Sequence, residues 1–159
     1  MSPRHLREVR YDHPDAAQLT AEVQQEYVRR YGGPDETPVS DGEFRPPGGL
    51  FVVAYVDDAP VAMGGWRWLE PVAGADRRAE LKRMYVTPTA RGQGHARAVL
   101  SYLEQTAEAA GAAWLVLETG TKQPEAIALY LASGYRTVPA FGHYAADPLS
   151  IHLGKRLRH

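Results

Sequence analysis

The segment Arg91-Gly92-Gln93-Gly94-His95-Ala96 carries the residue types needed to hold a phosphate through main-chain groups. It follows a strand-like run ending Tyr85-Val86 and leads into a helix with no acidic residue in its first turn. Glycine has no Cβ, so Gly92 and Gly94 let a ligand approach the backbone closely. The N–H groups at a helix start have no intrahelical partner, and the positive end of the helix dipole lies behind them. The chemistry implied is anion binding, most naturally of a phosphate or pyrophosphate.

Two well-known phosphate loops do not fit. A P-loop ends Gly-Lys-Ser/Thr, whereas Gly94 is followed by His95 and Ala96. A dinucleotide-binding turn needs a third glycine where Arg97 stands, and no ribose-binding acid follows at the required distance. The six histidines show no metal-ligand spacing, and no Ser-His-Asp arrangement can be inferred. Neither a metal site nor a hydrolase is therefore expected.

The elements that must carry this loop can be read from periodicity and turn chemistry. His5 to Arg10 reads as a strand. Asp15 is placed to cap a helix with apolar positions Ala16, Leu19, Val23 and Tyr27, closed by Gly32-Gly33-Pro34. A long Pro-, Gly- and acid-rich stretch to Gly49 follows, and loops of that length are usually functional. Leu50–Val56 and Val61–Leu69 form a hairpin across Asp57-Asp58-Ala59-Pro60, and a third strand runs from about Arg78 to Val86. Beyond the glycine loop, Ala96, Val99, Leu100, Leu103, Ala107 and Ala110 share a helix face that ends at Gly111. The unbroken apolar run Trp114–Glu118 marks a central strand. A helix from Pro124 to about Ala132 ends at Gly134, and Tyr135–Val138 and Ser150–Leu157 complete the strands. Hairpins first and βαβ crossovers later predict an α/β fold: a mixed sheet with helices on both faces.

At 159 residues with 44% hydrophobic content, one domain spanning 1–159 is expected. A net charge of −1 gives no reason to expect nucleic-acid affinity, and the basic end Lys155-Arg156-Leu157-Arg158-His159 reads as a solvated terminus. The absence of cysteine excludes disulfides and a thiol nucleophile. Met1-Ser-Pro-Arg-His-Leu-Arg lacks the apolar run of a signal peptide, and no window approaches the ~18 apolar residues of a membrane helix. These features lead to the expectation of a cytoplasmic protein without membrane partners.

The order Arg-x-x-Gly-x-Ala, at Arg91, Gly94 and Ala96, resembles the pyrophosphate loop of the GNAT acyl-CoA N-acyltransferases. The later segment Gln123-Pro124-Glu125-Ala126-Ile127-Ala128-Leu129-Tyr130-Leu131-Ala132-Ser133-Gly134-Tyr135 resembles that family's second CoA-side motif, with Gln123 where asparagine is common. The element order is similar to the GNAT fold over essentially the whole chain, a mostly antiparallel central sheet flanked by helices on both faces. The resemblance implies acetyl-CoA as co-substrate and transfer of its acetyl group to a primary amine of a small molecule or peptide. Attack would be direct, in a ternary complex. A non-catalytic acyl-CoA-binding regulatory module is the alternative.

By the same resemblance, the main chain of Gln93, Gly94, His95 and Ala96 with Gly92 and the Arg91 side chain would hold the pyrophosphate. The strand end Met84, Tyr85 and Val86 would meet the pantetheine arm, with Gln123 contacting it from the other side. The Met84 N–H would polarise the thioester carbonyl. An ammonium has no lone pair, so a base is needed, and Glu80 occupies the family position for it. Tyr130 falls on the tyrosine that protonates the departing thiolate. Tyr27, Tyr31, Glu43, Phe44 and His143 lie on segments that recognise the acceptor, and a homodimer is compatible with the family.

Overall fold

The computed structural model describes residues 2–157; Met1, Arg158 and His159 lie outside the described residues. Seven strands form one sheet: β1 (Arg4–Glu8), β2 (Gly49–Val56), β3 (Ala59–Trp68), β4 (Arg78–Val86), β5 (Trp114–Gly120), β6 (Arg136–Thr137) and β7 (Ser150–Arg156). Their order is β1-β2-β3-β4-β5-β7-β6, and only β4 and β5 run parallel. Three helices cover it: α1 (Pro14–Tyr31), α2 (His95–Ala109) and α3 (Pro124–Ala132). The mixed, mostly antiparallel sheet with helices on both faces is thus the observed architecture.

The alternation of β2 shows why both faces are covered. Leu50, Val52 and Ala54 pack under α2 with Val99, Leu100 and Leu103. Phe51, Val53 and Tyr55 pack under α1 with Ala16, Leu19 and Val23. Each such apolar side chain contributes about 1.5–3 kcal/mol when fully buried, so a strand apolar at every position is stable only between two helical layers. α3 joins the α2 layer through Tyr130 and Leu129.

Local corrections follow from side-chain chemistry. The first helix is capped by His13, whose Nδ1 accepts the Asp15 N–H at 3.1 Å, with Pro14 in the first turn. Asp15 instead accepts the Tyr55 hydroxyl at 2.6 Å, a tertiary contact not visible from spacing. The β2–β3 turn is tighter than expected because Asp57 and Asp58 both take positive φ, which fits a two-residue hairpin turn and starts β3 at Ala59. A short 3₁₀ turn, Asp41–Phe44, orders part of the long loop.

Two irregularities in β4 create the site. It pairs with β5 only at Arg78, Ala79 and Glu80, opposite Trp114, Leu115 and Val116. Beyond that point the two parallel strands separate. On the β3 side the register slips between Met63 and Gly65, leaving Arg83 and Met84 opposite Gly64 alone. Arg83 has φ 61°, a left-handed conformation that an L side chain adopts only when surroundings force it. Such a bulge bends its strand and leaves a residue outside the ladder.

Candidate active site

The split between β4 and β5 opens into a cavity of about 860 Å³. One end is built by the glycine loop. Gly92 and Gly94 have φ of 78° and 82°, so both depend on glycine's access to the left-handed region. Gly94 is the N-cap of α2 and supplies no side-chain cap. The bond from the Ala98 N–H to the Gly94 carbonyl is 3.1 Å long and opens the helix. The amides of His95, Ala96 and Arg97 therefore precede the intrahelical ladder, and all three residues line the cavity.

The loop is anchored from β1. Arg4 donates through Nε to His95 Nδ1 at 2.8 Å and through Nη2 to the Gln93 carbonyl at 3.1 Å. A guanidinium only donates, so His95 is held as the neutral ring. Burial, followed by the Arg4 charge, pushes its pKa down in agreement. Arg91 donates to the Val86 carbonyl at 3.0 Å and to Glu26 on α1 at 3.2 Å, so an anion at the loop would compete with Glu26 for it. Gln93 does not line the cavity, while Met84, Tyr85, Val86, Arg91, Gly92, Gly94, His95, Ala96, Gln123 and Tyr130 do.

Met84, one of the two residues of the bulge, lines the cavity. Across from it, α3 brings in Tyr130, whose ring meets Tyr135 edge-on at 5.7 Å. Burial, reinforced by Glu118, raises the Tyr130 pKa, so the phenol stays protonated at neutral pH. Tyr130 is buried and lines the cavity on the α3 side.

The carboxylates are arranged differently from expectation. Glu80 sits where β4 and β5 still pair, 5% exposed and 3.2 Å from Arg67 Nε, and does not line the cavity. Arg67 also binds Glu43 at 2.6 Å and the Pro38 carbonyl at 2.7 Å. Glu118 on β5, which in the sequence only closes the apolar run from Trp114, does line the cavity. Its pKa is raised: burial is the main cause, and the charges of Asp35 and Glu80 add to it against the Ser150 hydrogen bond and Lys82.

The other half of the cavity is walled by Tyr27 and Tyr31 of α1, by Asp35, Lys82 and Arg83, and by Tyr144. The Tyr31 hydroxyl accepts the Lys122 N–H at 3.0 Å and ties α1 to the β5–α3 turn. Three of the expected acceptor residues lie elsewhere. Phe44 is fully buried against Tyr11 and Phe51, where an aromatic gains most. Glu43 is engaged by Arg67, and His143 is exposed and meets Tyr144 edge-on without lining the cavity.

Residues 16–135 match the family model described as the acetyltransferase (GNAT) family. The chain belongs to the GNAT family. It is similar over 97% of its length to the crystal structure of a Klebsiella pneumoniae protein assigned provisionally as an acyl-CoA N-acyltransferase, covering 97% of that chain with 28% identity and a TM-score of 0.76. The ribosomal-protein-S18-alanine N-acetyltransferase of Escherichia coli shares the fold at 20% identity and a TM-score of 0.65, over 99% of this GNAT protein and 96% of that chain. A curated relative from Azospirillum brasilense, named IAA acetyltransferase, is 47% identical over 78 residues. That match covers 49% of this chain and 51% of the relative, about half the relative's length. No described helix of this GNAT protein is long and apolar enough to cross a membrane, and no group of three metal-ligating side chains occurs among the described residues.

Proposed function

We propose that this protein transfers an acetyl group from acetyl-CoA to a primary amine of a small molecule or peptide, by direct attack in a ternary complex. The observation that carries the reading is one cavity lined by a free helix start at its glycine loop, by Arg83 and Met84 of the β4 bulge, and by Glu118 and Tyr130. The loop fits a pyrophosphate: its left-handed glycines leave backbone open, and the amides that precede the α2 ladder are uncapped. Arg91, released from Glu26, adds a charge-assisted bond of about 1.5–3 kcal/mol. Bound acetyl-CoA supplies the thioester, whose carbon takes the amine nitrogen while the C–S bond breaks and CoA leaves as the thiol.

The protein's own groups supply the rest. The Glu118 carboxylate accepts the proton that the amine must shed. Burial places its pKa above the ordinary carboxylate range, closer to the pH at which a base is most effective. Activity on this basis falls as pH drops through that raised value, because protonated Glu118 cannot accept. The Met84 main-chain N–H, set out of the ladder by the bulge, donates to the carbonyl oxygen as charge develops on it, and such donors contribute roughly 2.7–4 kcal/mol. Tyr130 gives its hydroxyl proton to the departing sulfur. Family membership and the cavity chemistry support this reading.

Calorimetry with acetyl-CoA, using NADH and ATP as controls, tests the donor site. Selective micromolar binding is expected; a folded protein that binds none of the three would end the proposal. Tyr130→Phe should keep acetyl-CoA affinity within about twofold and lower amine-dependent thiol release by about 10- to 100-fold, less than the 10²–10⁴ of a full general acid because water can substitute. Unchanged turnover would remove Tyr130 from the mechanism. Acetyl-CoA binding with no thiol release for any amine would instead favour a non-catalytic binding module.

A further inference from the structure

The loop after α1 is tied to the cavity wall through Asp35, beside the bond from the Glu36 N–H to the Tyr144 hydroxyl at 2.8 Å. Asp35 Oδ2 accepts Lys82 Nζ at 2.9 Å and Arg83 Nη1 at 2.5 Å. Its other oxygen accepts the Thr37 N–H at 3.0 Å and the Thr37 hydroxyl at 2.7 Å. Gln24 of α1 clamps the same residue's main chain, accepting its N–H at 2.8 Å and donating to its carbonyl at 3.2 Å. Lys82 and Arg83 are both buried and adjacent in β4, and Arg83 is the residue with φ 61° at the bulge. Its Nε also donates to the Tyr11 hydroxyl at 3.2 Å. A left-handed arginine persists only where its surroundings over-determine it, and Asp35 with Tyr11 supplies that constraint.

We propose that Asp35 is a positioning residue for the acetyl transfer: through Arg83 it holds the β4 bulge that aims the Met84 N–H, and through Lys82 it sets the charge facing Glu118. This rests on the catalytic reading above and adds a residue to it. Asp35 has its bonding capacity filled by the protein, so it does not act on the substrate itself. Burial would raise its pKa, but Lys82, the Thr37 N–H and Arg83 together hold it well below the usual carboxylate range, so it is ionised wherever the enzyme works.

The groups facing Glu118 make the consequence specific. They are Tyr27 from α1, Asp35 from the loop, Glu80 and Lys82 from β4, Tyr130 from α3, Tyr144 from the loop before β7, and Ser150 and His152 from β7. Of these, Asp35 and Glu80 push the Glu118 titration up, and Lys82 pulls it down. Removing the Asp35 charge deletes an upward influence and releases Lys82 to act downward. Removing the Lys82 charge does the reverse.

The test is carbon NMR titration of the Glu118 carboxyl in ligand-free protein, with thiol release followed alongside. Asp35→Asn is expected to bind acetyl-CoA within twofold of wild type, to lose more than tenfold in kcat, and to titrate Glu118 at lower pH. Lys82→Gln is expected to titrate it at higher pH. Opposite shifts are not produced by general loosening of the fold. Wild-type kcat in Asp35→Asn, or a Glu118 titration unmoved in either variant, overturns the proposal. Should Asp35→Asn not fold, Lys82→Gln decides alone, since an unmoved titration there is sufficient to reject it. Absence of thiol release in the wild type would point to failure of the catalytic reading instead, because the ligand-free titrations do not depend on turnover.

Discussion

Glu118→Gln should lower amine-dependent turnover by about 10²–10⁴-fold, the range of a lost general base, and leave acetyl-CoA affinity close to wild type. The amide is nearly isosteric and can still bond Ser150, so the packing of β5 against β7 is retained. What disappears is the only carboxylate of the pair with access to the cavity: Glu118 lines it and Glu80 does not. The acid limb of the rate profile should disappear with it, since in the wild type that limb reports protonation of a carboxyl raised by burial. The parallel variant Glu80→Gln breaks an ion pair with Arg67 that is held inside the protein. Arg67 then keeps only the more exposed Glu43 as its counter-charge, and the loss of its buried partner destabilises, so Glu80→Gln should show in the melting curve more than in the shape of the pH profile. Thiol release measured against pH for both variants separates the roles. A flattened acid limb in Glu80→Gln with an unaltered one in Glu118→Gln would transfer the base to Glu80, the residue at the family position.

A second large effect is expected far from the reacting atoms. Gly49→Ala should cost about 3 kcal/mol or more, the upper end for overpacking. A Cβ at Gly49 would lie against the main-chain carbonyls of Trp66 and Glu43, well inside the 3.0 Å that real Cβ atoms keep. Neither obstacle is the tip of a flexible side chain, so β3 or the Asp41–Phe44 turn must shift as a unit. The turn carries Glu43, and its displacement loosens the chain of contacts from Glu43 through Arg67 to Glu80. For a domain of this size the loss corresponds to a fall in Tm of roughly 6–12 °C, read by thermal unfolding. A change of only a degree or two would show that the turn yields easily and does not brace the closed end of the split.

The glycine loop was legible because its function is local. Left-handed glycines, a helix start without acid and an apolar helix face are consecutive in the chain, and each can be recognised without knowing where anything else lies. The same holds for α3, where Pro124 begins the helix and Gly134 follows its end. The acceptor loop was legible as a place and not as a contact map. Phe44 belongs to it, yet its ring is drawn into the core by Tyr11 and Phe51, a preference that exists only once α1 and β2 are assembled.

Glu80 and Glu118 differ only in ways the chain order conceals. Both are glutamates in strands, and the spacing of Glu80 from Val86 matches the family position. Which one meets the cavity depends on where β4 and β5 part, just beyond Glu80. The bulge that follows carries Arg83, which pairs with Asp35, 48 residues earlier in the chain. From the sequence alone came the elements, their order, the anion site and the family resemblance, because propensity, periodicity and turn chemistry act over neighbouring residues. The tertiary structure alone decided which carboxylate stands beside Tyr130 in the cavity, since burial and charge pairing are set by neighbours in space.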